Sequence, residues 1–241
     1  MKRLAVFVLV LSLAAAVAAR GDDFSKAIAA MENAWSSDDA AALSESMQAL
    51  KKLPPGARVT YAIGYAARRL SHIPTVPKAD REAALNDAVA RFEELIKAEP
   101  KNAEAHALLS SCLGWMIGFD KSRAMELGPR AALEAQQALT LEPNNPRVVL
   151  LAGTSTLMKP TEYGGGAEKA EPLLRHAASL FSQEPEDRPW PNWGRFESHL
   201  WLGQLLDKLG KPDAARTEYE AALAISPHSH WARAMLQPRS K

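Results

Sequence analysis

An all-α solenoid of about five stacked helix pairs, closed by a short C-terminal cap helix, is predicted by three observations on this 241-residue chain. Helical stretches end three times on nearly the same phrase: Ala98-Glu99-Pro100-Lys101-Asn102, Leu141-Glu142-Pro143-Asn144-Asn145 and Ile225-Ser226-Pro227-His228-Ser229. Small or aromatic residues recur at four-residue spacing ahead of each phrase, the neighbour distance on a helix. Leucine and alanine abound and β-branched runs are few, so local propensity agrees with helix.

The N-terminal segment stands apart. Lys2 and Arg3 form a basic head, Leu4 to Leu13 is apolar, and Ala14 to Ala19 is small and alanine-rich. That is the three-part pattern of a secretory signal peptide. Its apolar stretch of 16 residues (4–19) is shorter than the roughly 20 a membrane-spanning helix needs. Cleavage after Ala18 or Ala19 satisfies the small-x-small rule, and Ala19 is preferred. Residues 1–19 are therefore expected to be a leader, and 20–241 an exported domain, periplasmic or secreted, with no transmembrane segment. No cysteine follows either cleavage point, so a lipid anchor is not indicated.

Removing Lys2 and Arg3 takes the formal charge from +1 to −1, and no Lys/Arg run exceeds two. Nucleic-acid binding needs clustered positive charge to displace counterions, so such a partner is not expected. Cys112 is the single cysteine, which excludes an intrachain disulfide and leaves stability to helix packing.

The last complete unit, 196–229, serves as a 34-residue ruler. Gly203 stands at its eighth position, Ala215 at its twentieth, Tyr219 at its twenty-fourth, Ala222 at its twenty-seventh and Pro227 at its thirty-second. Small residues at eight and twenty let two antiparallel helices cross closely, the aromatic fills the space between helices, and proline ends the second helix. Upstream, unit 23–56 carries Ala30, Ala42, Ala49 and Pro54 in register, with Ser46 in place of the aromatic. Units 57–102, 103–145 and 146–195 carry Gly64/Ala88/Phe92, Ser110/Ala131/Ala135 and Gly153/Ala170/Leu174. His230 to Leu236 reads as a solvating cap.

This pattern resembles the tetratricopeptide-repeat superfamily over nearly the whole mature chain. The resemblance implies a right-handed superhelix whose concave face is lined by the first helix of each pair. It also implies inward positions: Arg58, Tyr61, Tyr65 and Arg68; Glu104, Ala107, Ser111 and Gly114; Arg147, Leu150, Thr154 and Leu157; Glu197, Leu200, Gln204 and Asp207. A groove site is expected at Arg58, Tyr61, Tyr65, Arg68, Leu150, Thr154 and Gln204. The family's clamp for a peptide carboxylate wants Lys and Asn where Tyr61 and Tyr65 stand, so that clamp is not carried over.

Three middle units depart from the ruler in the same place, between positions eight and twenty. The extra residues include Ile73 to Pro77, then Phe119 to Lys121 with Met125 and Leu127, then Lys159 to Gly166. They are expected either to gather into one functional rim or to lengthen the helices. After the fourth unit, Pro185, Pro189 and Pro191 forbid a helix, and Trp190 and Trp193 either stack on a ligand or pin this loop to the solenoid. Phe119, Tyr163, Trp190 and Trp193 form the second candidate site, a rim closing over a small ligand if they converge.

Catalysis finds little support. There is no His-Glu-x-x-His and no Gly-x-Ser-x-Gly, and Gly164-Gly165-Gly166 lacks the Lys-Ser/Thr of a phosphate loop. His228 and His230 lack a third ligand nearby, so no metal and no cofactor are expected. Glu162, Glu184, Glu186 and Asp187 read as solvated loop carboxylates. The expected function is a non-catalytic, exported scaffold for a protein or peptide. The alternative is a small-molecule-binding accessory of a solute transporter, its ligand held beneath the inserted loops.

Overall fold

The computed structural model describes residues 22–237. The expected leader, 1–19, lies outside the described residues.

Eleven α-helices and no strand are found among them. They run α1 (22–36), α2 (Ala40–Lys51), α3 (Ala57–His72), α4 (Lys78–Ala98), α5 (Ala103–Phe119), α6 (Ala124–Leu141), α7 (Pro146–Met158), α8 (Ala167–Gln183), α9 (Arg195–Lys208), α10 (Pro212–Ile225) and α11 (His230–Leu236). Contacts are densest within α3/α4, α5/α6, α7/α8 and α9/α10, and α11 packs on α10. The expected solenoid of five pairs with a cap is therefore the fold. One continuous core runs through it from Phe24 to Ala232. α5 is buried along almost all of Ala103 to Leu113, as a helix apolar all round must be.

The repeated phrase is a two-way joint. Asn102 accepts from the Ala105 N–H (3.0 Å), capping α5, while its amide donates to Glu99 (2.9 Å) in the turn that ends α4. Asn145 does the same for α7, accepting from the Arg147 N–H (2.9 Å) and donating to Glu142 (2.7 Å). Ser229 caps α11 through the Ala232 N–H (3.2 Å), so the serine between His228 and His230 has a structural role.

The small-residue positions sharpen into a lock. A Cβ on Gly203 would stand 2.4 Å from the Tyr219 ring, one on Gly64 3.1 Å from the Phe92 ring, and one on Gly153 2.8 Å from Leu174. The large residue of the second helix seats directly on the glycine of the first. In the third unit, which has no aromatic, Ser110 donates to the Ala131 carbonyl instead (2.7 Å). Gly203→Val is expected to overpack this crossing and to cost about 1–3 kcal/mol in urea unfolding. Gly118→Ala, on an exposed helical site with nothing within 4 Å, is expected to stabilise by roughly 0.5–1 kcal/mol in the same assay.

Two of the three insertions mainly lengthen helices, with the short turn 73–77 left between α3 and α4. α9 ends five residues after Gly203, while α3 runs eight past Gly64 and α5 nine past Ser110. α4 and α6 likewise begin earlier relative to Ala88 and Ala131 than α10 does relative to Ala215. In the fourth unit both helices keep the ruler, and the extra residues form the turn 159–166.

Candidate functional site

The inner face is not an open groove. The proline-rich segment 184–194 folds back into it and bridges α1, α3 and α7. Trp193 is buried, stacks on Tyr65 (centroids 4.7 Å) and donates its indole N–H to the Tyr61 hydroxyl (2.9 Å). Tyr61 in turn donates to Glu104 (2.6 Å), which accepts from Asn145 (3.0 Å). Trp190 meets Tyr61 and Phe24 edge-on, at 5.1 and 5.5 Å. Both tryptophans thus pin the loop to the solenoid.

Two buried ionic clusters hold this arrangement. Arg147, with no exposed side-chain surface, makes a bidentate pair with Glu184 (2.8 and 2.9 Å), and Arg188 joins from the loop (2.5 Å). Burial works against charge on Glu184, yet the Arg147 hydrogen bonds and the two guanidiniums hold its carboxyl below the ordinary range. The expectation of a solvated carboxylate at Glu184 is therefore corrected. The second cluster centres on Arg69, 2 % exposed, between Glu32 of α1 (2.6 Å) and Glu197 of α9 (3.1 Å). It ties the first unit to the fifth. Burial raises the Glu32 carboxyl above its usual range, with Arg69 opposing.

Gly194 makes the exit from the loop possible. Its φ of 110° lies in the left-handed region, and a Cβ there would stand 2.4 Å from the Phe181 ring. Its N–H donates to Glu197 (3.1 Å), starting α9 where Arg69 needs its carboxylate.

The plug divides the inner face into two compartments. On one side is an open basin of about 870 Å³, walled by the Glu99 to Asn102 joint, Glu142, Asn145, Arg58, Arg188, Trp190 and Pro191. On the other is a small, partly open cavity of about 30 Å³, whose wall holds Trp35, Tyr65, Arg68, Arg69, His72, Leu150, Leu151, Thr154, Trp193, Glu197, Trp201 and Trp231.

The sequence-predicted groove residues are shared between these compartments. Arg58 lies over the Phe24 ring (3.9 Å) at the basin. Tyr61 and Tyr65 are buried, 6 % and 1 % exposed, against the chain's own tryptophans. Arg68 donates to Ser111 (3.0 Å) and borders the smaller cavity with Leu150 and Thr154. Gln204 is half-buried. The rim residues do not converge. Phe119 sits beside Arg81 (5.2 Å), Tyr163 is 74 % exposed on the inserted turn, and only Trp190 and Trp193 share a neighbour, Tyr61. The small-ligand pocket of the alternative reading is not assembled beneath the inserted turns, because two insertions mainly lengthen helices and Tyr163 of the third is exposed. Reasoning from sequence missed Arg69, Glu184 and Glu32, since their partners lie far along the chain. The signal within reach was Arg147 at an inward position in an apolar helix.

His72 is a buried neutral imidazole. Its Nδ1–H donates to the Arg68 carbonyl (2.6 Å), and burial, with Arg68 beside it, lowers its pKa to about 3. The unfolded chain then binds one more proton between the ordinary value of 6.5 and about 3, so this contribution to stability is lost as pH falls through that window. His72→Leu is expected to flatten urea stability against pH there by up to roughly 1.4 kcal/mol per pH unit. Cys112 is buried and its thiol is pushed up to about 12 by burial, so it is unreactive. Among the described residues no group of three or more His, Cys, Asp or Glu could hold a metal, and no helix is long and apolar enough to cross a membrane.

Residues 196–237 match the tetratricopeptide repeat family model. No curated protein matches in sequence. A crystal structure of a thermophilic tetratricopeptide-repeat protein of Thermus thermophilus aligns with a TM-score of 0.62 at 19% identity, over 89% of this chain and 95% of that one. The assembly chaperone of RpL4 aligns with a TM-score of 0.43 at 13% identity, over 90% and 93% of the two chains. The lock of Tyr219 on Gly203 falls inside the matched segment, and the fold repeats it upstream. The last repeat thus matches the tetratricopeptide repeat family, and the chain as a whole has the fold of a tetratricopeptide-repeat solenoid.

Proposed function

We propose that this chain is an exported, non-catalytic scaffold that receives a protein or peptide segment in the open basin at the mouth of its inner face. The observation that carries this is the basin itself, about 870 Å³ and open to solvent, while the rest of the concave face is filled by 184–194. Its wall offers what a peptide needs. Trp190 borders it with a ring held edge-on to Tyr61. Arg58 and Lys101 make no ion pair among the described residues, and Pro100 and Pro191 give stiff apolar surface. Export rests on the leader pattern in residues 1–19.

The test is affinity capture from the native envelope fraction with the wild type and with Arg58→Glu/Lys101→Glu. Recovery of one protein by the wild type, lost in the folded double variant, supports the reading. Equal recovery by both sinks it. Tyr61 and Tyr65 are unsuitable for this test, because their loss would unseat Trp193. Fractionation of cells expressing the chain with and without residues 1–19 tests export, and cytosolic wild type would remove that part.

A further inference from the structure

We propose that the exposed face of α6 is the contact through which two copies of this chain form a two-fold dimer. None of its residues lines the basin, so this surface is independent of what docks there.

α6 is poorly covered by its own chain. Only Leu127 and Ala138 are buried in its 18 residues. α4 and α8 pack along the first helix of the next unit, but α6 barely touches α7, which packs on α5 instead. The uncovered side is apolar. Met125, Pro129, Ala132, Leu133 and Gln136 are exposed and share one stripe of the helix, with no charge among them. Met125 is 89 % exposed and Leu133 64 %. Met158 and Tyr163, also exposed, stand at the α7–α8 turn, on the edge of the stack from which α6 starts. A monomer scatters such side chains over its surface, and their concentration here marks an interface.

The stripe itself names the occupant. Met125 and Leu133 flank a small centre of Gly128, Pro129 and Ala132. With two copies antiparallel about a two-fold at Pro129, Met125 of each falls on Leu133 of the other, and the small centres let the helices approach. The charges fit that register. Glu126, held at 3.6 Å by Arg123 and still 68 % exposed, comes within a turn of Arg130 of the second copy. Arg130 then stands between its own Glu93 and that carboxylate. Glu134, the other carboxylate on this flank, is turned onto His106 (2.5 Å). A membrane surface fits less well. Asp120 and Glu162 share the edge with Lys121 and Lys159, whereas anionic lipid calls for an excess of basic residues.

The experiment is sedimentation equilibrium of the mature chain up to about 0.1 mM, with circular dichroism to confirm folding. The wild type is expected as a reversible dimer with a Kd of about 10 µM, in keeping with a contact at the small end of specific interfaces. Met125→Lys/Leu133→Lys, at two exposed positions, should weaken it at least about a hundredfold and keep the helical signal. Pro129→Cys should cross-link the copies on mild oxidation, since that position lies on the two-fold, while Lys169→Cys on exposed α8 should not. The native Cys112 is buried and does not interfere. Arg58→Glu/Lys101→Glu should dimerise as the wild type does, so this proposal and the basin fail separately. A monomeric wild type throughout overturns the proposal and leaves the face to a different protein. A dimer that the double lysine variant leaves intact, or equal cross-linking at both cysteines, overturns it as well.

Discussion

Trp193→Ala is expected to destabilise the folded chain by about 3–5 kcal/mol, the range for truncating a buried tryptophan. The side chain is 5 % exposed, covers Tyr65 and satisfies the Tyr61 hydroxyl network. Its removal joins the two compartments into one channel and leaves Tyr61 with only its Glu104 acceptor. Urea unfolding followed by far-ultraviolet circular dichroism measures the loss. Trp193→Phe separates the causes. It keeps much of the stack and deletes the indole donor, so it should cost roughly 1–2 kcal/mol. If both variants unfold at the wild-type urea midpoint, the plug contributes nothing and the reading of 184–194 as part of the core fails.

Arg147→Ala is expected to be similarly damaging, by about 3–5 kcal/mol, for an electrostatic reason. Glu184 would remain in a site built for its anion, with only Arg188 beside it. The loop is tethered at its start by this pair, so limited proteolysis should cut within 184–194 before anywhere else in the solenoid. Arg147→Met/Glu184→Leu should recover most of the loss, since an apolar pair of similar volume carries no stranded charge. A double-mutant cycle gives the coupling. Additive losses would show that Arg147 acts through its packing against Phe181 and Trp193, at 5.5 and 5.7 Å, and not through the ion pair.

Much of the scaffold was legible because its determinants are local. Asn102 and Asn145 cap the helix that begins one residue later, and Pro100 and Pro143 stand two residues past the ends of α4 and α6, where proline is favoured. Gly203 and Tyr219 are sixteen residues apart, so a single hairpin brings them together. The inserted stretches were less legible. Their residues suit either helix or turn, and which one forms depended on whether a neighbouring helix could cover the extra turns.

The inner face was legible as a set of positions but not as a surface. Arg58, Tyr61, Tyr65 and Arg68 do share one face of α3. Whether that face is open depends on a segment more than a hundred residues later, and the Arg69–Glu197 bond spans 128 positions.

The sequence alone therefore determined the helix pairs, their joints and their stacking order, since each follows from propensity, capping and packing inside one hairpin. The filling of the groove by Trp190 and Trp193, the burial of Arg69 and Arg147, and the division into basin and cavity were decided only in the tertiary structure. The physical reason is that burying a charge or an aromatic ring requires partners from several units at once. Those partners meet only when the superhelix has curved far enough to bring its first unit to its fifth.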